Sequence, residues 1–165
     1  MIHLLDDFTD TDVVARRWRV FSDRVMGGVS NARADFKVFA GRPALCLSGR
    51  VSLERNGGFI QVARDLNGER VDAGQFRGLQ LAVCGTPGTY FVHLRTADSR
   101  APWQYYAATL PVTPTWQSVS LPWRAFTPAS LRTPLDPTTL QRIGMVAGTT
   151  AFDAAVAISR LELVP

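Results

Sequence analysis

The sequence predicts an all-β protein: an antiparallel two-sheet β-sandwich of jelly-roll type with one or two short helices. Three observations predict it. Segments rich in β-branched and aromatic residues recur along the 165 residues, separated by Gly, Pro, Asn, Asp or Thr turns. Pro87, Pro102, Pro111, Pro114, Pro122, Pro128, Pro134 and Pro137 fall between these segments or at their ends, where a missing N–H does least harm to a ladder. No long helical stretch separates the segments, which argues against a parallel α/β sheet, and roughly ten strands in this length suit two packed sheets.

Taken in order, Ile2–Leu5 and Trp18–Phe21 are strands, with Asp12–Arg17 a short helix between them. Ala34–Phe39, Ala44–Ser48, Phe59–Asp65, Gly78–Cys84, Tyr90–Thr96, Gln104–Leu110 and Gln117–Pro122 follow as strands. The stretch from Phe126 to Leu140 is the least regular. Within it Asp136–Gln141 reads as a second short helix, with Asp136 as N-cap and Pro137 at the first helical position. Arg142–Val146 and Ala155–Val164 complete the set, and the well-alternating last strand is expected to pair with the first and bring the termini together. No repeat or linker interrupts the pattern, so residues 1–165 are expected to form one domain.

Charge and cysteine content narrow the function classes. Lys and Arg number 18 against 14 Asp and Glu, a formal net charge of +4, and Lys37 is the only lysine. The arginines are scattered and form no clustered basic face, so nucleic acid is not the expected partner. Cys46 and Cys84 lie in apolar runs and read as buried thiols, with a disulfide possible but not required. Two cysteines and two histidines do not make a zinc site of usual spacing. Asp6, Asp7 and Glu162, near the expected meeting point of the termini, are the residues that could hold a calcium ion, but no metal or other cofactor is assigned. The start of the chain has no signal or transit character and no apolar run is long enough to span a bilayer, which points to a cytoplasmic location.

Two glycine pairs stand out. The first lies in Ser22-Asp23-Arg24-Val25-Met26-Gly27-Gly28-Val29-Ser30, the second in Ser52-Leu53-Glu54-Arg55-Asn56-Gly57-Gly58-Phe59. Paired glycines permit backbone angles that a Cβ forbids and let another group approach closely. Read alone they are tight turns. Asn56 is placed to make an Asx turn, and Asp23 and Glu54 to anchor glycine-rich backbone, which sets the two loops side by side at one rim of the sandwich. The candidate rim is therefore Asp23, Met26, Gly27, Gly28, Ser30, Glu54, Asn56, Gly57, Gly58 and Phe59. Met26 and Phe59 are its apolar contacts, the competing reading being that both, Phe59 above all, sit in the core.

In this order behind Trp18, the two segments resemble the complex I intermediate-associated protein family of the thirty-kilodalton type. The family pattern runs Asp-x-Val-Met-Gly-Gly-x-Ser and then Ser-Leu-Glu-Asn-Asn-Gly-Gly-Phe, and only Arg55 departs from it. Tyr90–Thr96, Tyr106 and Trp116–Trp123 resemble later parts of the family. The resemblance implies a galactose-binding-like β-sandwich. For the mitochondrial members it implies a role in holding partly built membrane-arm intermediates of NADH:ubiquinone oxidoreductase, so the expected partner is another protein, in a bacterial or similar member.

Catalysis has little footing. No nucleophile elbow, zinc-protease helix or phosphate loop is present, and His93 has no recognisable nucleophile near it in sequence. Asp23 and Glu54 sit beside glycine turns, where accepting backbone N–H bonds is the readier role than glycosidase chemistry. A second candidate surface is a sheet face. Alternation places Phe91, His93 and Arg95 on one side of their strand, and Gln61, Gln80, Trp103 and Tyr105 are of the kind that joins them to hydrogen-bond and stack on a sugar. Against this stands the reading of a plain solvated face. The sequence thus points to a non-catalytic binding domain, an assembly factor with a protein partner, with a carbohydrate-binding module as the alternative.

Overall fold

The computed structural model describes residues 1–66, 69 and 71–165. In chain order the elements are β1 (His3–Asp6), α1 (Thr11–Arg17), β2 (Trp18–Ser22), β3 (Arg33–Phe39), β4 (Arg42–Val51), β5 (Phe59–Asp65), β6 (Gly78–Gly85), β7 (Tyr90–Thr96), β8 (Tyr105–Thr109), β9 (Gln117–Pro122), β10 (Thr127–Ala129), β11 (Leu140–Gly148) and β12 (Phe152–Val164). One sheet runs β3-β4-β12-β6-β9, with β1 beside the C-terminal half of β12, and the other runs β10-β8-β7-β11-β5-β2. Neighbours pair antiparallel throughout the described residues. The antiparallel β-sandwich expected from the sequence is the fold observed.

Period-two alternation explains why the sheets stack. In β7, Tyr90, Val92, Leu94 and Thr96 are buried while Phe91, His93 and Arg95 are partly exposed on the other side. The inward sets of both sheets share one core, in which Leu45, Leu47, Ile60, Val62, Leu79, Leu94, Tyr106, Ile158 and Leu161 are closed to solvent. Each buried aliphatic side chain of this kind contributes about 1.5–3 kcal/mol. β12 keeps its alternation by one irregularity. The register slips between Ile158 and Arg160, so Leu161 and Leu163 return to the core while Arg160 and Glu162 take the outer face.

α1 is short because its capping and its end are both fixed locally. The Asp10 carboxylate accepts from the backbone N–H of Asp12 and Val13, Val14 is the buried residue of the helix, and extended backbone at Trp18 ends it. The Trp18 indole donates to Asp6 Oδ2 at 3.0 Å and its ring packs on Phe8. As expected, the last strand pairs with the first, His3 lying opposite Leu163.

Two sequence readings need correction, and one left open is closed. The helix expected over Asp136–Gln141 is only a 3-10 turn at Pro137–Thr139. Asp136 does cap it, but Leu140 pairs with Thr96 and starts β11, so sheet pairing overrides the local signal. The irregular stretch hides β10, whose Pro128 is tolerated because this strand is the sheet edge. A disulfide between Cys46 and Cys84 is excluded by register, because both lie opposite Ala157 on its two flanks. Two strand spacings, roughly 9–10 Å, exceed the reach of the bridge, about 7 Å between Cα atoms.

No helix among the described residues is long and apolar enough to cross a membrane.

Candidate functional site

The two glycine segments meet at one buried carboxylate. Asp23 opens a 3-10 turn (Asp23–Met26) whose N-cap, Ser22, accepts from the Arg24 N–H. This turns the Asp23 side chain inward, where the residue has no exposed surface. Its Oδ1 accepts from the Ser30 N–H at 2.9 Å. Its Oδ2 accepts from the Ser30 hydroxyl at 2.5 Å, from Gly58 N–H at 2.7 Å and from Phe59 N–H at 3.3 Å. The Ser30 hydroxyl in turn accepts from Ser52 N–H at 2.8 Å. Burial alone pushes the Asp23 carboxyl up, but the donors from Ser30, Gly58 and Phe59 together outweigh it and hold the group below its ordinary value.

The glycines divide their work between angle and space. Gly27 and Gly58 take positive φ, +90° and +143°, whereas Gly28 and Gly57 stand where a Cβ would come within 2.4 Å of the Asp23 side chain. Each pair therefore supplies one unusual backbone angle and one close approach to the same carboxylate. Asp23 is the anchor that the sequence suggested, and it does hold the two loops side by side.

Other rim residues fall differently. Glu54 is exposed, and among the described residues its carboxylate accepts no hydrogen bond; it is its backbone carbonyl that accepts from the Gly57 N–H, at 3.0 Å. Asn56 makes no Asx turn; it and Arg55 instead adopt left-handed φ of 57° and 54°. Phe59 is not core. It is half-buried on the outer face, edge to face with Phe21 at 6.1 Å. Met26 is 62% exposed, and two side chains the sequence reading passed over, Val25 and Leu53, are 75% and 50% exposed on the same two loops.

The second candidate surface is the outer face of the sheet containing β7. Cross-strand register sets Phe21, Gln61, Val146 and Phe91 in one row. The next row holds Ala63, Gly144, His93 and Ala107. Gly144 leaves room for Gln61, whose Oε1 lies 2.3 Å from where a Cβ would stand, so Gln61 reaches across towards His93. The His93 ring stacks on Tyr105 with centroids 4.1 Å apart and 15° between planes. Burial pushes the His93 imidazole down to about 4, so it is neutral at neutral pH. Gln61, His93 and Tyr105 are thus brought together, whereas Gln80 is not among them, because β6 pairs into the other sheet.

Arg95 is not available beside them. Its guanidinium donates to the carbonyls of Ser99, Ala101, Pro102 and Gln104 at 3.1–3.2 Å and so stakes the loop between β7 and β8. That loop carries Trp103, which is 65% exposed. Phe21 and Phe91 extend the face towards the rim; alternation already places Phe91 there, and the same signal in β2 could have found Phe21.

Asp6, Asp7 and Glu162 do not converge as calcium ligands. Asp6 is taken up by Trp18 and the Phe8 N–H, Asp7 by Thr9, and Glu162 by Arg160. Among the described residues no three His, Cys, Asp or Glu gather at a common point.

The family model of complex I intermediate-associated protein 30 matches residues 7–158. The chain belongs to this family. The complex I intermediate-associated protein 30 domain seen here also resembles solved structures at low identity. One is the family 11 carbohydrate-binding module of a cellulosomal cellulase of Clostridium thermocellum, with TM-score 0.78 and 11% identity over 99% of this chain and 94% of that one. A second structure of the family 11 module, in complex with a β-1,3-1,4-mixed-linked tetrasaccharide, aligns with TM-score 0.74 and 10% identity over 99% of this chain and 95% of that one. The family 30 module of another cellulosomal cellulase of the same organism gives TM-score 0.60 and 17% identity over 89% and 90%. At such identities the likeness is one of fold. No match was found among curated proteins.

Proposed function

We propose that the domain is a non-catalytic protein-binding module whose docking surface is the rim built on Asp23. The observation that carries this is the exposure of Val25, Met26 and Leu53 on two loops clamped by one buried carboxylate. Loops whose backbone is held in place before contact lose little backbone entropy on binding, and methionine adapts to an irregular partner. The family's name supports an assembly intermediate of a respiratory complex as the partner. The test is affinity capture from native cells with wild type and with Met26→Asp combined with Leu53→Asp. Wild type should retain respiratory-complex subunits and the double variant should lose them at unchanged melting temperature. Equal capture by both proteins would remove the rim from the interface.

A second reading is favoured by the stacked His93–Tyr105 pair beside Gln61, with exposed Trp103 on the adjoining loop. These groups suit a saccharide laid across the outer face, as does the likeness to modules that bind carbohydrate. Calorimetric titration with β-glucan oligosaccharides addresses it. Heat that saturates in wild type and vanishes in His93→Ala and Trp103→Ala supports this reading; absence of heat at millimolar ligand ends it.

A further inference from the structure

The opposite sheet carries a separate cleft that neither reading uses. It lies on the outer face formed by β4, β12, β6 and β9, encloses about 240 Å³, and is lined by Arg42, Gln80, Trp116, Ser118, Arg160 and Glu162. Its floor includes Ala82, which points outward between core-facing Leu81 and Val83 and lies opposite Arg160 on one side and Ser118 on the other. Small residues at floor positions leave the space that the surrounding side chains enclose.

The register slip in β12 builds the base of this cleft. Because the extra residue falls between Ile158 and Arg160, Arg160 and Glu162 share the outer face, and Arg160 Nε donates to Glu162 Oε2 at 2.8 Å. Bulges of this kind commonly re-aim side chains at binding sites. The Glu162 side chain is only 7% exposed, against 52% for Arg160. Its second oxygen, Oε1, accepts no hydrogen bond among the described residues and is not one of the sealed-off polar atoms, and the residue lines the cleft. A nearly buried carboxylate with one oxygen unspent calls for a donor from outside the protein.

The remaining walls define what that donor belongs to. Gln80 Nε2 donates to Ser118 Oγ at 2.7 Å, which leaves its carbonyl oxygen free to accept. The Trp116 indole N–H is committed to the carbonyls of Phe39 and Ala40, at 3.3 and 3.2 Å, and its ring packs on Ala44, Cys84 and Ala157, so what the half-buried residue offers to the cleft is the remaining ring edge. The Arg42 guanidinium lies over that ring, 5.4 Å from its centroid. A free anion would meet Glu162, and a free cation would meet Arg42 and Arg160. Adjacent acceptor and donor beside an indole match neighbouring hydroxyls on a ring.

We propose that this cleft binds one polyhydroxylated ring, a pyranose or cyclitol. One hydroxyl donates to Glu162 Oε1, its neighbour accepts from the Arg160 guanidinium, and the C–H edge of the ring rests against Trp116. The volume fits a single ring and not a chain, and the site is independent of both surfaces described above.

The experiment is nitrogen-edited NMR titration of the whole protein with galactose, glucose and myo-inositol, following the Arg160 Nε–H and Trp116 indole signals. At least one ring should shift both signals saturably, with a dissociation constant in the low millimolar range expected for a ligand of about a dozen heavy atoms. Ala82→Leu, which fills the floor, should weaken binding ~10-fold or more, and Arg132→Ala, at an exposed position between β10 and β11, should leave it unchanged. Ser118→Trp, at an exposed position, blocks the cleft from its far wall and serves if Ala82→Leu does not fold. Three results overturn the proposal: no saturable shift with any ring, binding that survives the blocked cleft, or binding lost in Arg132→Ala as fully as in Ala82→Leu.

Discussion

At Gly28 a single methyl group is enough to displace a carboxylate that four donors hold. An alanine Cβ there would stand 2.4 Å from Asp23 Cγ, and at Gly57 it would stand 2.4 Å from Oδ2. Relief requires Asp23 to leave its partners, so overpacking and lost hydrogen bonds add to about 3 kcal/mol. Gly28→Ala and Gly57→Ala should each lower the melting temperature by roughly 6–12 °C. Gly27→Ala meets nothing within 4 Å and has only its φ of +90° to accommodate, at about 1 kcal/mol. Equal melting of Gly27→Ala and Gly28→Ala would mean that contact with Asp23 is not what the second glycine protects. The same carboxylate gives an acid dependence. Its folded-state ionisation lies below the unfolded value of 3.8, so its contribution is present above that pH and is lost as the pH falls through the folded value. His93 acts over a different window. Its imidazole titrates near 4 when folded and near 6.5 when unfolded, so the unfolded chain takes up the proton first and stability drops from pH 6.5 towards 4. Melting curves of His93→Phe should therefore flatten between pH 6.5 and 4, and those of Asp23→Asn below pH 4.

The loop between β7 and β8 depends on Arg95 as the rim depends on Asp23. Four carbonyls converge on that guanidinium, and Arg95→Met leaves all of them to water. Trypsin should then cut faster after exposed Arg100, at little cost to the melting temperature of the sandwich; an unchanged cleavage rate would show that the loop holds itself. Elements of this sort mark the limit of sequence reading. Strands such as β7 and β5 were legible because their alternation is local. The rim was legible as a motif, because glycine pairs with polar neighbours announce unusual backbone. The joint between the two loops was only half legible, since Asp23 and Gly58 are separated by 35 residues and only the folded register brings them together. Asp136 followed by Pro137 is a correct helix-start signal, yet β11 begins three residues later because pairing with Thr96 decides the backbone there. Arg95 looked like a ligand contact, and no local pattern could reveal that its donors close a loop.

Across the whole molecule, register separates groups as firmly as it joins them. Cys46 and Cys84 face the same side with Ala157 between them, and burial pushes both thiols up. Diamide treatment of the native protein should give no intramolecular disulfide, and Cys84 should react with a thiol reagent only after unfolding; a rapid native crosslink would contradict the observed strand order. β12 gives the sandwich two poles. Val51 lies opposite Phe152 at one end of the strand, next to Ser52 and the rim, and His3 lies opposite Leu163 at the other. Thirteen residues of strand place these ends roughly 40 Å apart. The two chain ends therefore leave from the pole farthest from Asp23. A bead or label attached at either end would thus sit away from the rim, and a partner docking there as proposed would not compete with the attachment.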